Sequence, residues 1–292
     1  MSLNKPIWKL KNWINEDELI MEYLSSNQRA INYLKEYDWY YLSSNPNAIE
    51  LLEKNQDKID WNELCLNPNG IKLLEKNQNK INWNKLSNNS HAIELLEKNQ
   101  DKIDWVFLST NKNAMDLLER NPDKIDYKYL SLNTNKRAIK LLEENQDKID
   151  WSLLSNNKNA IELLEKNQDK IEWLLLSGNK NAIKILEKNL DKVNWWFLSE
   201  NPNAIEILEN NQDYIEWDAL AQNKNAIDLI MKNLDKINIK YLSSNPAIFE
   251  LDYQAMRIAN QGIYEDLIKE VMKPSRVFKH PGYDYLEELF GD

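Results

Sequence analysis

Side chains with reactive chemistry are few in this chain and poorly grouped. The two histidines, His91 and His280, stand far apart, and Cys65 is the sole cysteine. No Cys/His spacing suits zinc. No glycine-rich loop suits a phosphate, and the chain has only 5 glycines. Carboxylates are plentiful, but Glu53, Glu75, Glu97, Glu119, Glu143, Glu165, Glu187 and Glu209 recur at a nearly constant interval. Such a row marks one helix face seen many times, solvated and paired with lysines such as Lys54. His91 stands where neighbouring blocks carry asparagine, so it reads as a surface cap. Cys65 stands where most blocks carry serine, so it reads as a small buried residue. A lone cysteine also excludes an intrachain disulfide and fits a reducing compartment. No catalytic residue, metal or cofactor is expected.

The asparagines, by contrast, are arrayed. Asn45, Asn67, Asn89, Asn111, Asn133, Asn157, Asn179, Asn201, Asn223 and Asn245 form one row. Asn47, Asn159 and Asn203 belong to a second, and Asn55, Asn99 and Asn167 to a third. These rows expose the frame that carries them. The stretch WYYLSSNPNAIELLEKNQDKID, Trp39 to Asp60, recurs in blocks opening at Trp61, Trp83, Trp105, Tyr127, Trp151, Trp173, Trp195, Trp217 and Ile239. The step is 22 residues everywhere except from Tyr127 to Trp151, where it is 24. A fixed short period is the signature of a repeat array, in which each unit is buried only by its neighbours.

Each block reads as two short helices. Asp60, Asp104, Asp126, Asp150 and Asn194 precede the opening aromatic and are good N-caps. In Trp61-Asn62-Glu63-Leu64 the aromatic and the leucine share a face at i and i+3. The Asn45 row should end this helix in the left-handed conformation that asparagine tolerates, and Pro46, Pro68, Pro202 and Pro246 follow where a helix cannot easily continue. Asn47 with Glu50 three residues on resembles a capping box for the second helix. Ala48, Ile49 and Leu52 give its inner face, extended by Leu51. Asn55 suits a C-terminal turn, and Ile59 points inward. Helices this short do not persist alone; the asparagine rows therefore read as caps that bond to backbone and to each other across units, with ladder-like binding of a ligand as the alternative.

The predicted fold is all-α: a right-handed α-solenoid of short helix-turn-helix repeats with N- and C-terminal caps. Residues 1–20 form the N-terminal cap over an open solenoid end, with Trp8 and Trp13 packing on the first unit. Residues 21–252 hold the repeats, beginning with a shortened block, Tyr23 to Leu34, that aligns with Tyr41 to Leu52. Residues 253–292 form a C-terminal helical cap or docking tail: Leu267 to Val271 and Tyr285 to Phe290 read as helical. The insertion within Leu132 to Leu142 falls in a turn, where two residues are cheap. At about 8–10 Å between helix axes, ten units would extend very roughly 80–100 Å.

The phrase LSxNPNAIxLLEKNxDKIxW, sustained from about Tyr23 to Phe249, resembles the short tandem repeats of many proteins of giant DNA viruses of the mimivirus type. Val271 to Gly291, with its proline-serine-arginine element and acidic finish, is similar to the endings such proteins carry. The proline after the first asparagine row is lysine at Lys112, Lys158, Lys180 and Lys224, a small departure. The resemblance implies a viral repeat protein without an assigned activity. The architecture is also similar to leucine-rich repeat variant proteins, which stack short helices without strands.

Function then falls to positions that vary while the frame stays fixed. The second residue of each unit is the freest: Tyr40, Asn62, Asn84, Val106, Lys128, Ser152, Leu174, Trp196, Asp218, Lys240. The third, which includes Phe107, Leu175 and Phe197, is mostly apolar and either packs on the next unit or joins a binding surface. Leu174, Leu175, Trp196 and Phe197 lie in adjacent units and form the leading candidate patch for a protein partner, with Tyr40 and Phe107 as further candidates. In the tail, Arg276, Phe278, Tyr283, Tyr285 and Phe290 are candidates for docking, or seal the solenoid end. The net charge of −10 repels phosphate backbones, so general nucleic-acid binding is not expected. No apolar run is long enough for a membrane span and no signal peptide is seen. The expected setting is host cytoplasm, viral factory or virion. The expected role is a scaffold for viral or host proteins; self-association as a structural component and service as an adaptor for an enzyme complex are the alternatives.

Overall fold

The computed structural model describes residues 6–31, 34 and 37–272. They fall into two compact bodies, one of residues Lys11–Ile248 and one joining the residues up to Leu10 with those from Phe249 onward.

The larger body is the repeat array. In the Trp39 unit the first helix is Trp39–Ser44 and the second Ile49–Lys54, followed by a single 3-10 turn, Gln56–Lys58. The pattern recurs down the chain. The first helix starts as expected: Asp60 Oδ1 accepts the Glu63 N–H at 2.9 Å, and Asp38, Asp104, Asp126, Asp150 and Asn194 cap their helices likewise. Leu42, Ala48 and Leu52 are fully buried and Ile59 nearly so, with the same register in the other units.

The asparagines behave differently from the expectation. Asn45 is extended (φ −75°, ψ 117°), and Asn55 is not left-handed either (φ −133°, ψ 51°). Asn47 does not cap the second helix, whose N-cap is Ala48 without a side-chain bond. His91 likewise is no cap; Ala92 holds that place. The physical reason is that these amides are committed elsewhere. Extended backbone lets the Asn67 amide reach over the preceding unit and donate to the carbonyls of Ser43 (3.0 Å) and Asn45 (2.9 Å). Its Oδ1 accepts the Asn69 N–H at 3.0 Å, and the Asn69 amide donates to Pro46 O at 2.9 Å. The first-row asparagines are all buried. A row of serines supports them: the Ser43 hydroxyl donates to Trp39 O (2.7 Å) and accepts the Asp60 N–H (3.0 Å). The joints between units are thus built from buried, saturated hydrogen bonds as well as apolar contact.

The two-residue insertion leaves this ladder intact, since Asn157 still donates to Ser131 O and Asn133 O at 2.9 Å. The extra length goes into a longer second helix, Lys136–Glu144, which among the described residues is the one case where the second-row residue, Asn135, is a true N-cap. Arg137 there pairs with Asp116 (2.6 Å) and with Glu119 of the preceding unit.

The array closes on itself. Asn27, in the shortened unit, donates to Ser243 O (3.1 Å) and Asn245 O (3.2 Å) of the last unit. The Ile20 N–H donates to the Ser243 hydroxyl at 2.9 Å, as Asp60 does to Ser43. Arg29 takes the place of Asn47 and donates to Pro246 O at 2.9 Å. The last unit therefore meets the first through the same bonds that join interior neighbours. The helical-repeat fold agrees with the sequence reading; the open end that residues 1–20 were expected to cover is instead occupied by the last repeat. Wherever helices of neighbouring units pack closely, both are first helices, while second helices stand further apart. In a closed array the more closely spaced layer has the smaller perimeter, so the first helices form the inner layer.

The smaller body contains two short strands the all-α reading did not anticipate. β1 (Trp8–Leu10) pairs antiparallel with β2 (Phe249–Leu251), with Lys9 opposite Glu250, and Asp252 N-caps a helix, Tyr253–Val271, that includes the expected Leu267 to Val271. The tail candidates Arg276, Phe278, Tyr283, Tyr285 and Phe290, and His280, lie outside the described residues.

Cys65 occupies the serine row, fully buried. Burial pushes its thiol pKa up, against a smaller opposing effect of the Asn82 N–H that bonds it. Cys65→Ser should therefore change stability by less than about 1 kcal/mol, because a hydroxyl fills the same role in neighbouring units. Chemical unfolding measures this. Thiol reagents should label native Cys65 only after unfolding.

Candidate interaction surface

The side chains that differ between units converge on the first helices. At the third position they form a row that links neighbours. Lys85 Nζ bonds Glu63 at 2.7 Å, and the Phe107 and Tyr129 rings sit 6.4 Å apart, as do Tyr23 and Tyr41. Phe197 lies against Gly178 of the preceding unit, whose missing Cβ would stand 3.8 Å from the ring. Leu175 and Phe197 are half-buried. The third position is thus largely a packing row, with Phe107 its most open aromatic.

The second position is more open. Tyr40 is 51% exposed, Leu174 41% and Trp196 39%. Tyr40 is nonetheless engaged: it packs edge-on against Tyr41 at 5.2 Å and hydrogen-bonds Glu63, which raises the pKa of its hydroxyl. The same Glu63 bond raises the pKa of Lys85. Tyr40, Glu63 and Lys85 form one polar network across three units, which leaves Tyr40 less free to bind a partner than the sequence suggested. Leu174 and Trp196 sit on directly packed helices, Trp173–Ser177 and Trp195–Glu200. With Leu175 and Phe197 beside them they make an apolar patch on the inner layer. Desolvation raises the Glu200 pKa, partly opposed by a hydrogen bond from Trp196.

A second cluster escaped the sequence reading. Over the opening aromatic of most units lies a lysine from the turn that closes the same unit: Lys80 over Trp61 at 4.4 Å, Lys170 over Trp151 at 4.5 Å, Lys192 over Trp173 at 4.8 Å, Lys236 over Trp217 at 4.6 Å. In the Trp195 unit that lysine is Tyr214, which stacks on Trp195 at 4.8 Å and is 59% exposed. In the following unit, Met231 replaces a frame glutamate and Leu234 a frame glutamine; both are exposed. The signal was present in the sequence, as simultaneous departures from consensus in the second half of adjacent units.

Among the described residues no group of three or more His, Cys, Asp or Glu is placed to hold a metal ion, and no helix is long and apolar enough to cross a membrane. In the carboxylate row, Glu97 pairs with Arg120 at 2.5 Å and Glu119 with Arg137, each in the following unit. Comparison with protein-family models, curated proteins and solved structures finds no match for this chain.

Proposed function

We propose that this protein is a non-catalytic scaffold that binds another protein, and that the binding surface is the inner-layer patch of Leu174 and Trp196 with Leu175 and Phe197. The observation that carries the reading is the contrast between rows. The frame positions are consumed by packing and by the ladder, whereas the second position is exposed and changes from unit to unit. Large apolar side chains exposed on such a frame are candidate hot spots. The resemblance of the repeated phrase to giant-virus repeats favours a viral origin, with a viral or host partner. A structural component that assembles end to end needs free array ends, and closure occupies both, which favours the scaffold reading.

The double variant Leu174→Ser, Trp196→Ser tests this. Both residues are about two-fifths exposed, so stability should fall by no more than about 2 kcal/mol in total, with the helical circular dichroism unchanged. Affinity purification from infected cells, followed by mass spectrometry, should recover a partner with the wild-type chain and lose it with the variant. Equal recovery by both chains would remove the patch from consideration. Collapse of the fold would make these residues core.

A further inference from the structure

We propose that the Trp195 unit carries a second binding site, for a lysine- or arginine-bearing segment of a partner protein, centred on the exposed ring of Tyr214. It is centred on a side chain outside the inner-layer patch, and its test does not depend on that patch.

The repeats supply the template. In most units an ammonium from the unit's own turn lies 4.4–5.0 Å above the opening aromatic ring. The ring quadrupole attracts that cation. In the Trp195 unit the cation is gone, and Tyr214 extends the stack by one ring, nearly parallel to Trp195 (18°) and open on its outer side. The unit keeps the aromatic half of the interaction and leaves the cationic half to be supplied from outside.

The charge of the same unit selects the occupant. Trp195 to Glu216 contains Glu200, Glu206, Glu209, Asp213 and Glu216 and no Lys or Arg, a formal −5 of the chain's −10. Every other full unit holds at least two lysines and lies between −2 and +2. Two of the missing cations are the frame lysines replaced by Asn210 and Tyr214. Among the described residues none of the five carboxylates is in an ion pair. Glu206, Glu209, Asp213 and Glu216 are exposed. Glu216, two residues from Tyr214, occupies an N-cap position without making the capping bond that Glu172 makes at the equivalent place. Exposed Met231 and Leu234 in the next unit add an apolar shelf for the aliphatic stem of a long basic side chain. A second copy of this acidic chain is a poor fit to the same surface, because like charges would face each other.

The test uses the full chain and a synthetic peptide of alternating lysine and glycine with both ends blocked. Its acetyl-lysine analogue is the uncharged control. Calorimetry should detect the lysine peptide and not the analogue. Tyr214→Lys restores the frame residue, and with it the chain's own cation over Trp195. It should weaken binding about ten-fold, whereas Tyr214→Phe should stay within two-fold. Tyr253→Lys adds the same charge at an exposed position in the other body and should also stay within two-fold. Equal weakening by Tyr214→Lys and Tyr253→Lys would reduce the effect to net charge and overturn the site. Wild-type affinity in Tyr214→Lys, or a dimer in light scattering that Tyr214→Lys dissolves, would overturn it as well.

Discussion

Asn67→Ala should destabilise the array by about 3–5 kcal/mol, far more than most polar substitutions. The Asn67 side chain is fully buried and takes part in three hydrogen bonds. Its loss strands the Asn69 N–H and removes a donor from two buried carbonyls of the preceding unit, at roughly 1–3 kcal/mol for each group left unsatisfied. Asn45 O keeps a second donor in the Ala48 N–H at 3.1 Å, which limits the total. Asn67→Asp should be worse than Ala, because a carboxylate would face those two carbonyl oxygens with no donor. Asn55→Ala is the comparison. The Asn55 amide bonds only Leu51 O within its own unit, at 2.9 Å, and is half-buried; its loss should cost about 1 kcal/mol. Urea unfolding midpoints of the three variants would order the effects. Similar costs for Asn67→Ala and Asn55→Ala would mean that the ladder between units is not what holds them.

The frame was legible because its causes are local. The aromatic-leucine spacing, the Asp60-type caps and the burial of Ala48, Leu52 and Ile59 follow from helix periodicity and capping. The use of the Asn45 row was half legible: a polar residue at constant spacing announces a bond, but sequence does not say whether the amide turns back on its own helix or reaches across. Closure was not legible. It depends on the small difference in spacing between the first-helix and second-helix layers, accumulated around the whole array, and no single repeat encodes that sum. The shortened first unit did hold the trace. It lost residues from its second half yet kept Ser25, Asn27 and Ala30, the groups a neighbouring unit needs. Leu174 and Trp196 were legible as variable positions. Tyr214 was missed because a lysine replaced by tyrosine looks like drift until the cation-over-ring pairing of the other units is seen.

Closure gives the second large effect. Joints inside the array are backed by the chain itself, so units that separate there remain tethered at high effective concentration. The joint between Asn27 and Asn245 has no peptide link across it. It is held by its own bonds, and β1 and β2, the segments immediately outside the array at either end, pair with each other. Asn27→Asp combined with Lys9→Pro removes the amide donor and the backbone N–H of Lys9, which lies opposite Glu250. A proline cannot donate to the ladder. The loss of the joint should cost at least the ~3–5 kcal/mol of Asn67→Ala, since the bonds are those of Asn67 and the new carboxylate also faces two carbonyl oxygens. The consequence should differ in kind. Interior joints survive, so helical circular dichroism should stay near the wild-type value, while small-angle scattering should show a larger radius of gyration. The freed faces of the first and last units are complementary, because they already fit each other in the closed form. An opened chain should therefore associate head to tail as concentration rises, which the closed chain cannot do. An unchanged radius, with no association at any concentration, would mean that the two ends are held by something other than these bonds.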